Sequence, residues 1–338
     1  MIVVFDPAQM AHDPQFFLSS GAPRPCPEQP ARAQALLAAT ARMGLPAQAP
    51  ADRGEAAICA VHPARYLTFL QNIHTRWSRI EGASAEVIPN IHPDRRDVGY
   101  PDSAVGQAGY HMTDTSCPIG PHTWGAAYAS AQTALEAAEA VRGGARAAYA
   151  LCRPPGHHAF AELAGGFCYL NNSAIAAQYL TDRGARVAIL DVDLHHGNGT
   201  QGIFYDRGDV LTVSIHADPI RYYPFFWGYA AETGEGPGEG ANLNLPLERG
   251  TGDAGFLAAL DTALARVAAF APTHLVLALG LDAYEGDPFA GLAVTTPGFG
   301  QIGRAIAALG LPTVIVQEGG YLCPELGQNL EAVLQSFV

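Results

Sequence analysis

The segment Val187–Thr200 reads VAILDVDLHHGNGT, an apolar run that ends in Asp191, Asp193, His195 and His196. Side chains two residues apart on an extended strand point the same way, so Asp191, Asp193 and His195 share a face. Carboxylate with imidazole is a donor set suited to a zinc-type ion. A second apolar run, His274–Leu279, leads through Gly280 and Leu281 to Asp282, which could supply a third ligand. Alone, an Asp after a strand more often begins a turn. With Asp193 and His195 it would leave one coordination position open for water and substrate.

Two further segments carry groups that could work beside such an ion. Arg153–Ala159 reads RPPGHHA, where Pro-Pro-Gly makes a rigid turn that presents His157 and His158 from a fixed loop. Neutral imidazole is a competent base near pH 7. Asp191 and Asn198 are the natural groups to orient the two rings. The ring paired with Asn198 should be the better base, because an Asp partner favours the imidazolium and an Asn partner does not. In Glu318-Gly319-Gly320-Tyr321 the glycines form a mobile turn that could swing the Tyr321 phenol into a site. There it would donate to a developing oxyanion, a contribution of about 3 kcal/mol.

These segments need strands to hold them. Ile2–Phe5, Ala147–Cys152, Val187–Leu190, Val210–Ile215, His274–Leu279 and Thr313–Val316 are short, continuous apolar runs. Such runs suit strands covered on both faces, as in parallel sheets. Ala-rich stretches lie between them and predict helices over Gln29–Arg42, Thr123–Val141, Ser173–Arg183, Gly255–Phe270 and Gly298–Leu309. The alternation predicts one α/β domain over residues 1–338, with a central, mainly parallel sheet and helices on both faces. Sites in such folds form beyond the carboxyl ends of strands. The stretch 81–121 is rich in Pro, Gly, His and Asp without a period, which predicts an irregular functional loop.

Composition narrows the partners. The chain has 338 residues, 49% hydrophobic and only 15% charged, enough apolar material for a sizeable core. Its net charge is −13, and every one of the 19 bases is Arg. That balance argues against a nucleic-acid partner. No stretch is apolar enough for a membrane span and no signal peptide is recognisable. The 6 cysteines are scattered and form no CxxC pair, which reads as reduced thiols in a cytoplasmic protein. No Gly-x-Ser-x-Gly elbow is present for a serine hydrolase.

In RPPGHHA, GGFCYLNN, DVDLHHGNGTQ, VLTVSIH, LGLDAYEGDP and QEGGY, in that order along the chain, the sequence resembles the histone deacetylase superfamily, within the arginase–deacetylase fold. GYAAETGEG near Tyr229 and TRWSRIEG near Trp77 resemble its bacterial acetylpolyamine amidohydrolases. The resemblance implies one zinc per subunit on Asp193, His195 and Asp282. It implies that His157 and His158 flank the attacking water, with His158 the base, Asp191 behind His157 and Asn198 behind His158. Tyr321 would polarise the acetyl carbonyl. Gly166 and Phe167 would line the substrate channel. A second aromatic wall would come from Tyr222, Tyr223, Phe225 or Phe226, with Tyr223 and Phe226 taken as substrate-binding. A structural potassium ion is implied on Asp191 and Ser214, with backbone of Asp193 and His195. The substrate implied is a small acetylated amine, foremost an acetylpolyamine, and the 81–121 loop would join a homodimer. Val105 and Ser116 stand where the polyamine enzymes carry acids, and Asp102, Asp114 and Glu86 are the candidates to replace them. That departure keeps a broader acetyl-lysine deacetylase as the alternative. An arginase-like two-metal hydrolase would need more carboxylates, and a catalytically silent binding protein would be expected to have lost a ligand, a His or the Tyr.

Overall fold

The apolar runs become neighbours in one sheet. The structure, a computed structural model, describes residues 1–94 and 99–338. Its strands are β1 (Ile2–Val4), β2 (Phe16–Ser19), β3 (Ala22–Pro25), β4 (Ala47–Gln48), β5 (Ala147–Ala150), β6 (Val187–Asp191), β7 (Val210–Ala217), β8 (Asn242–Leu247), β9 (His274–Leu279) and β10 (Thr313–Gln317). Eight of them form a sheet in the order β4-β1-β5-β10-β9-β6-β7-β8. Every pairing in it is parallel. Strands β2 and β3 make a separate antiparallel hairpin.

Side-chain alternation divides the core between the two faces. Val187 and Ile189 of β6 pack with the α-helices α3 (Ala64–Trp77), α5 (Thr123–Arg142) and α6 (Asn172–Thr181). Ala188 and Leu190 of the same strand face α1 (Pro30–Arg42), α8 (Asp253–Phe270), α9 (Thr296–Ala307) and α10 (Leu326–Leu334). Each fully buried Val, Leu or Ile contributes about 1.5–3 kcal/mol. The result is a single α/β domain with helices on both faces. The shorter helices are α2 (Ala56–Cys59), α4 (Ala104–His111) and α7 (Asn198–Phe204).

Several elements go beyond the six strands and five helices expected from the sequence, among them β2, β3, β4, α2, α3, α7 and α10, and for two more the physical reason is plain. Strand β8, NLNLPL, lies at the sheet edge and is only partly buried, so it lacks the continuous apolar run that marks central strands. Within the supposedly irregular 81–121 stretch, α4 forms behind Ser103, whose hydroxyl accepts the Gly106 N–H at 3.0 Å. Residues 95–98 of that stretch lie outside the described residues. No helix among the described residues is long and apolar enough to cross a membrane.

Strands β5, β10, β9 and β6 are consecutive at the middle of the sheet. Because they are parallel, their carboxyl ends open on one edge. Those ends carry the His157–His158 loop, the Glu318–Tyr321 turn, Asp282, and the Asp193–His195 pair respectively.

Candidate active site

Asp193, His195 and Asp282 converge in the crevice at the middle of that edge. Their ligand-type atoms all lie within 4.8 Å of one another, and all three residues are buried. His195 Nδ1 is 3.2 Å from Asp193 Oδ1 and 3.1 Å from Asp282 Oδ2. Backbone amides fix the carboxylates. Asp193 accepts from His195 N at 2.8 Å and from Gly319 N at 2.7 Å, and Asp282 accepts from Leu194 N at 3.0 Å. A Cβ on Gly319 would stand 2.3 Å from Asp282 Oδ2 and 2.5 Å from Asp193 Oδ2, so this strand end can pass only as glycine. Burial, and then the charge of Asp193, push the Asp282 carboxyl up. Two buried carboxylates and one imidazole, preassembled around one point, fit a tetrahedral divalent ion with one position free. A second cluster, His157 with Cys168 and Glu318, is also compact. It does not fit a metal, because burial pushes the Cys168 thiol well up and both Glu318 oxygens are held by hydrogen-bond donors.

The two histidines of the β5 loop lie beside this triad with ring centroids 4.0 Å apart. His157 Nδ1 is 2.9 Å from Asp191 Oδ2, and His158 Nδ1 is 2.7 Å from Asn198 Oδ1. Each Nδ1 therefore carries a hydrogen toward its partner and each Nε2 faces the crevice. Their electrostatics diverge. Burial lowers both, but Asp193 and Asp191 push His157 up to about 10. For His158 burial dominates, with His157 and His195 adding to it, and its pKa falls well below the usual imidazole range. One ring is thus held cationic and the other neutral.

Glu318 joins the β10 turn to the His loop. Its Oε2 accepts from Gly156 N at 2.7 Å and His157 N at 3.0 Å, and its Oε1 accepts from the Ser173 hydroxyl at 2.8 Å. Burial pushes this carboxyl up to about 7. Tyr321 is buried three residues on, its N–H donated to Asp287 at 2.9 Å and its ring 4.5 Å from Phe289. The guanidinium of buried Arg32 lies 4.9 Å above the Tyr321 ring and donates to the Glu318 carbonyl at 2.8 Å.

A cavity of about 420 Å³ rises from this floor. Gly166, Phe167, Tyr222, Tyr223, Phe225 and Phe289 line it, with Phe17 and Leu18 from the β2–β3 hairpin. Gly166 has φ +50°, and a Cβ there would lie 2.4 Å from His158 Cδ2 and 2.9 Å from the Tyr223 hydroxyl oxygen. Tyr223 stands edge-on to His158 at 4.9 Å and donates its hydroxyl to Asp114 at 2.6 Å. Phe226 is a correction. It is 85% exposed and does not line the cavity, whereas Phe225 does. Phe225 adopts φ +62° and Phe226 N bonds back to Pro224 O at 2.7 Å, so the turn carries Phe226 outward. Ser214 lies beside Asp191 in register across β6 and β7, and its hydroxyl is 2.8 Å from His216 Nδ1. Glu86 and Asp114 do not face the cavity, since Glu86 anchors Gln15 N at 2.6 Å and Asp114 accepts from Ser116 N at 2.7 Å and Gly166 N at 3.1 Å. The carbonyl of Asp102 is taken by Arg76.

Sequence reasoning did not find Phe17, Leu18, Phe289, Asp287 or Arg32, and it offered Asp114 as a substrate-attracting acid and not as the partner of Tyr223. Only Asp287 had a local signal, in the Glu285-Gly286-Asp287-Pro288 turn after Asp282.

The family described as Histone deacetylase domain matches residues 26–337. The chain is 51% identical over 338 residues to an acetylpolyamine amidohydrolase of Burkholderia pseudomallei, covering 100% of this chain and 98% of that protein. It is 48% identical over 342 residues to acetylpolyamine amidohydrolase 1 of Pseudomonas aeruginosa, covering 100% and 99%. Among solved structures, the crystal structure of acetylpolyamine aminohydrolase from Burkholderia pseudomallei matches at TM-score 0.96 and 51% identity, over 100% of this chain and 98% of that one. The HDA15 HD domain matches at TM-score 0.82 and 28% identity, over 99% and 88%.

Proposed function

The chain belongs to the histone deacetylase family, and on that premise we propose that it is a zinc-dependent amidohydrolase that removes the acetyl group from small acetylated amines, foremost acetylpolyamines, releasing acetate and the free amine. The observation that carries this reading is the convergence of Asp193, His195 and Asp282 beneath a neutral and a cationic histidine at the floor of an aromatic cavity. Full-length relatives bearing the acetylpolyamine amidohydrolase name support the substrate class.

Asp193, His195 and Asp282 would hold the zinc, which when bound supplies Lewis acidity toward the acetyl carbonyl and a water. His158, kept neutral by burial and aligned by Asn198, takes the water's proton at Nε2 as it attacks the acetyl carbon. Tyr321 donates its hydroxyl hydrogen to the oxyanion that forms, from a turn fixed by Asp287 and Arg32. The amine departs with a proton from a histidine of the pair, so no acyl-enzyme and no cysteine nucleophile is needed. Gly166, Phe167, Tyr223 and Phe225 form walls that exclude water from a slender alkyl chain.

Three finer readings belong with the proposal. A structural potassium ion would sit on Asp191 and Ser214, with backbone of Asp193 and His195, and fix the ligand strand. The 81–121 loop, where Ile91 is 60% exposed, would join a homodimer. The free cysteines suit a cytoplasmic protein.

The test loads purified protein with zinc and measures acetate release from acetylputrescine, acetylspermidine and an acetyl-lysine peptide. Turnover of the small amines, with one zinc per chain by elemental analysis, is the expected result. Tyr321→Phe should abolish turnover and retain zinc. A strong preference for the peptide would replace the polyamine reading with the acetyl-lysine one, and no amide turnover would refute both.

A further inference from the structure

The charge at the cavity mouth goes beyond what the proposed reaction requires. Asp193 and the imidazoles lie on the floor. Above them, among the described residues, the formally charged group that lines the cavity is the guanidinium of Arg221. Arg221 is exposed and sits on the loop that also presents Tyr222, Tyr223 and Phe225. No acid among the described residues pairs with it.

The acids that approach the cavity from behind are all engaged. Asp114 accepts from Ser116 N, Gly166 N and the Tyr223 hydroxyl, at 2.7, 3.1 and 2.6 Å. Asp287 accepts from Tyr321 N and Phe289 N, each at 2.9 Å. Glu86 holds Gln15 N beneath the hairpin. The neutral polar side chains at the rim are Ser19, Ser20 and Ser116. An acyl group bound at the floor therefore directs the far end of its amine chain toward a rim whose one charged lining side chain, among the described residues, is that of Arg221.

We propose that Arg221 is a specificity-determining residue that favours acetylated amines with a carboxylate or neutral far end over those that bring a further ammonium group to the mouth. The proposal rests on the deacetylase reading and narrows its substrate class. The four-carbon chain of acetylputrescine keeps its ammonium among the aromatic walls, where cation–π contact is available. N-acetylcadaverine, acetylspermidine and longer chains carry an ammonium group outward toward Arg221. A rim charge acts through screened, long-range attraction or repulsion, so its effect is modest, signed and sensitive to salt.

The experiment uses zinc-loaded wild type, Arg221→Ala and Arg221→Glu. Three substrates of similar length and different far-end charge are compared: 6-acetamidohexanoate, N-acetylcadaverine and N-hexylacetamide. Dividing each kcat/KM by that of the neutral amide cancels differences in folding and zinc loading. From wild type to Arg221→Glu, the preference for carboxylate over ammonium should fall about 5- to 15-fold, with Arg221→Ala about halfway on a logarithmic scale. The shift should shrink at high ionic strength, and acetylspermidine should move with N-acetylcadaverine. A preference that stays the same across the three proteins overturns the role of Arg221 while leaving the deacetylase reading intact. Failure of wild type to hydrolyse any of the three refutes that reading, and the inference with it.

Discussion

Replacing Glu318 by Gln separates what its charge does from what its hydrogen bonds do. In the folded protein burial raises this carboxyl from 4.5 to about 7. The folded chain then holds the proton more tightly than the unfolded chain, so this group's contribution is fully present below pH 4.5 and is lost as pH rises through about 7. At about 1.4 kcal/mol per unit, the cost of ionising Glu318 in place approaches about 3 kcal/mol above pH 7. Gln keeps an acceptor for Gly156 N and His157 N, and its amide can donate to the Ser173 hydroxyl, but it does not titrate. The stability of Glu318→Gln relative to wild type should therefore rise by up to about 3 kcal/mol between pH 5 and pH 8. Urea unfolding of both zinc-saturated proteins at the two pH values measures it, and other titrating groups cancel in the difference. Glu318→Ala should be destabilised at both pH values, because two buried N–H groups lose their acceptor at about 1–3 kcal/mol each. Wild type and Glu318→Gln losing stability in parallel would refute the assignment of a raised Glu318 carboxyl.

The remaining predictions concern the pair, the walls and the mouth. Asn198→Asp gives His158 a carboxylate partner in place of an amide, so the acidic limb of the kcat/KM–pH profile should move up by about 1–3 units. Gly166→Ala places a methyl against His158 and Tyr223 at a positive φ, and a displacement of that kind should lower kcat about 100-fold while elemental analysis still finds zinc. Phe225→Ala should raise KM for acetylputrescine, and Phe226→Ala should leave it within about twofold, because only the first side chain lines the cavity.

How much of this was legible in the sequence follows from the range of each signal. Strands β5, β6, β9 and β10 are buried on both faces, and that burial writes itself as continuous apolar runs. Asp193 and His195 were readable because strand alternation is local. Asp282 was not assignable alone, since it lies 89 residues beyond Asp193 and meets it only through the adjacency of β6 and β9. Its place after an apolar strand offered it as a possible third ligand, and the resemblance to the family assigned it to the set. The hairpin β2–β3, Phe289 and Arg32 left no local trace, because their roles depend on contacts made across the fold. Phe225 and Phe226 are chemically alike neighbours, and one backbone angle decides which faces the cavity.

The same comparison explains why the site's charges hold together without the sequence announcing it. Asp191, Asp193 and Asp282 are buried within one crevice, a concentration of like charge that isolated burial would make prohibitive. Each is instead shared. Asp191 meets His157 and Asp193 N, Asp193 meets His195 and Gly319 N, and Asp282 meets His195 and Leu194 N. Two of those three amides come from the β6 extension and the third from the β10 turn. The parallel sheet thus supplies both the acids and the donors that tolerate them, and it does so only where its central strands end side by side. Removing one acid should therefore disturb its neighbours' protonation as well as its own contact, because the crevice is balanced as a set and not pair by pair.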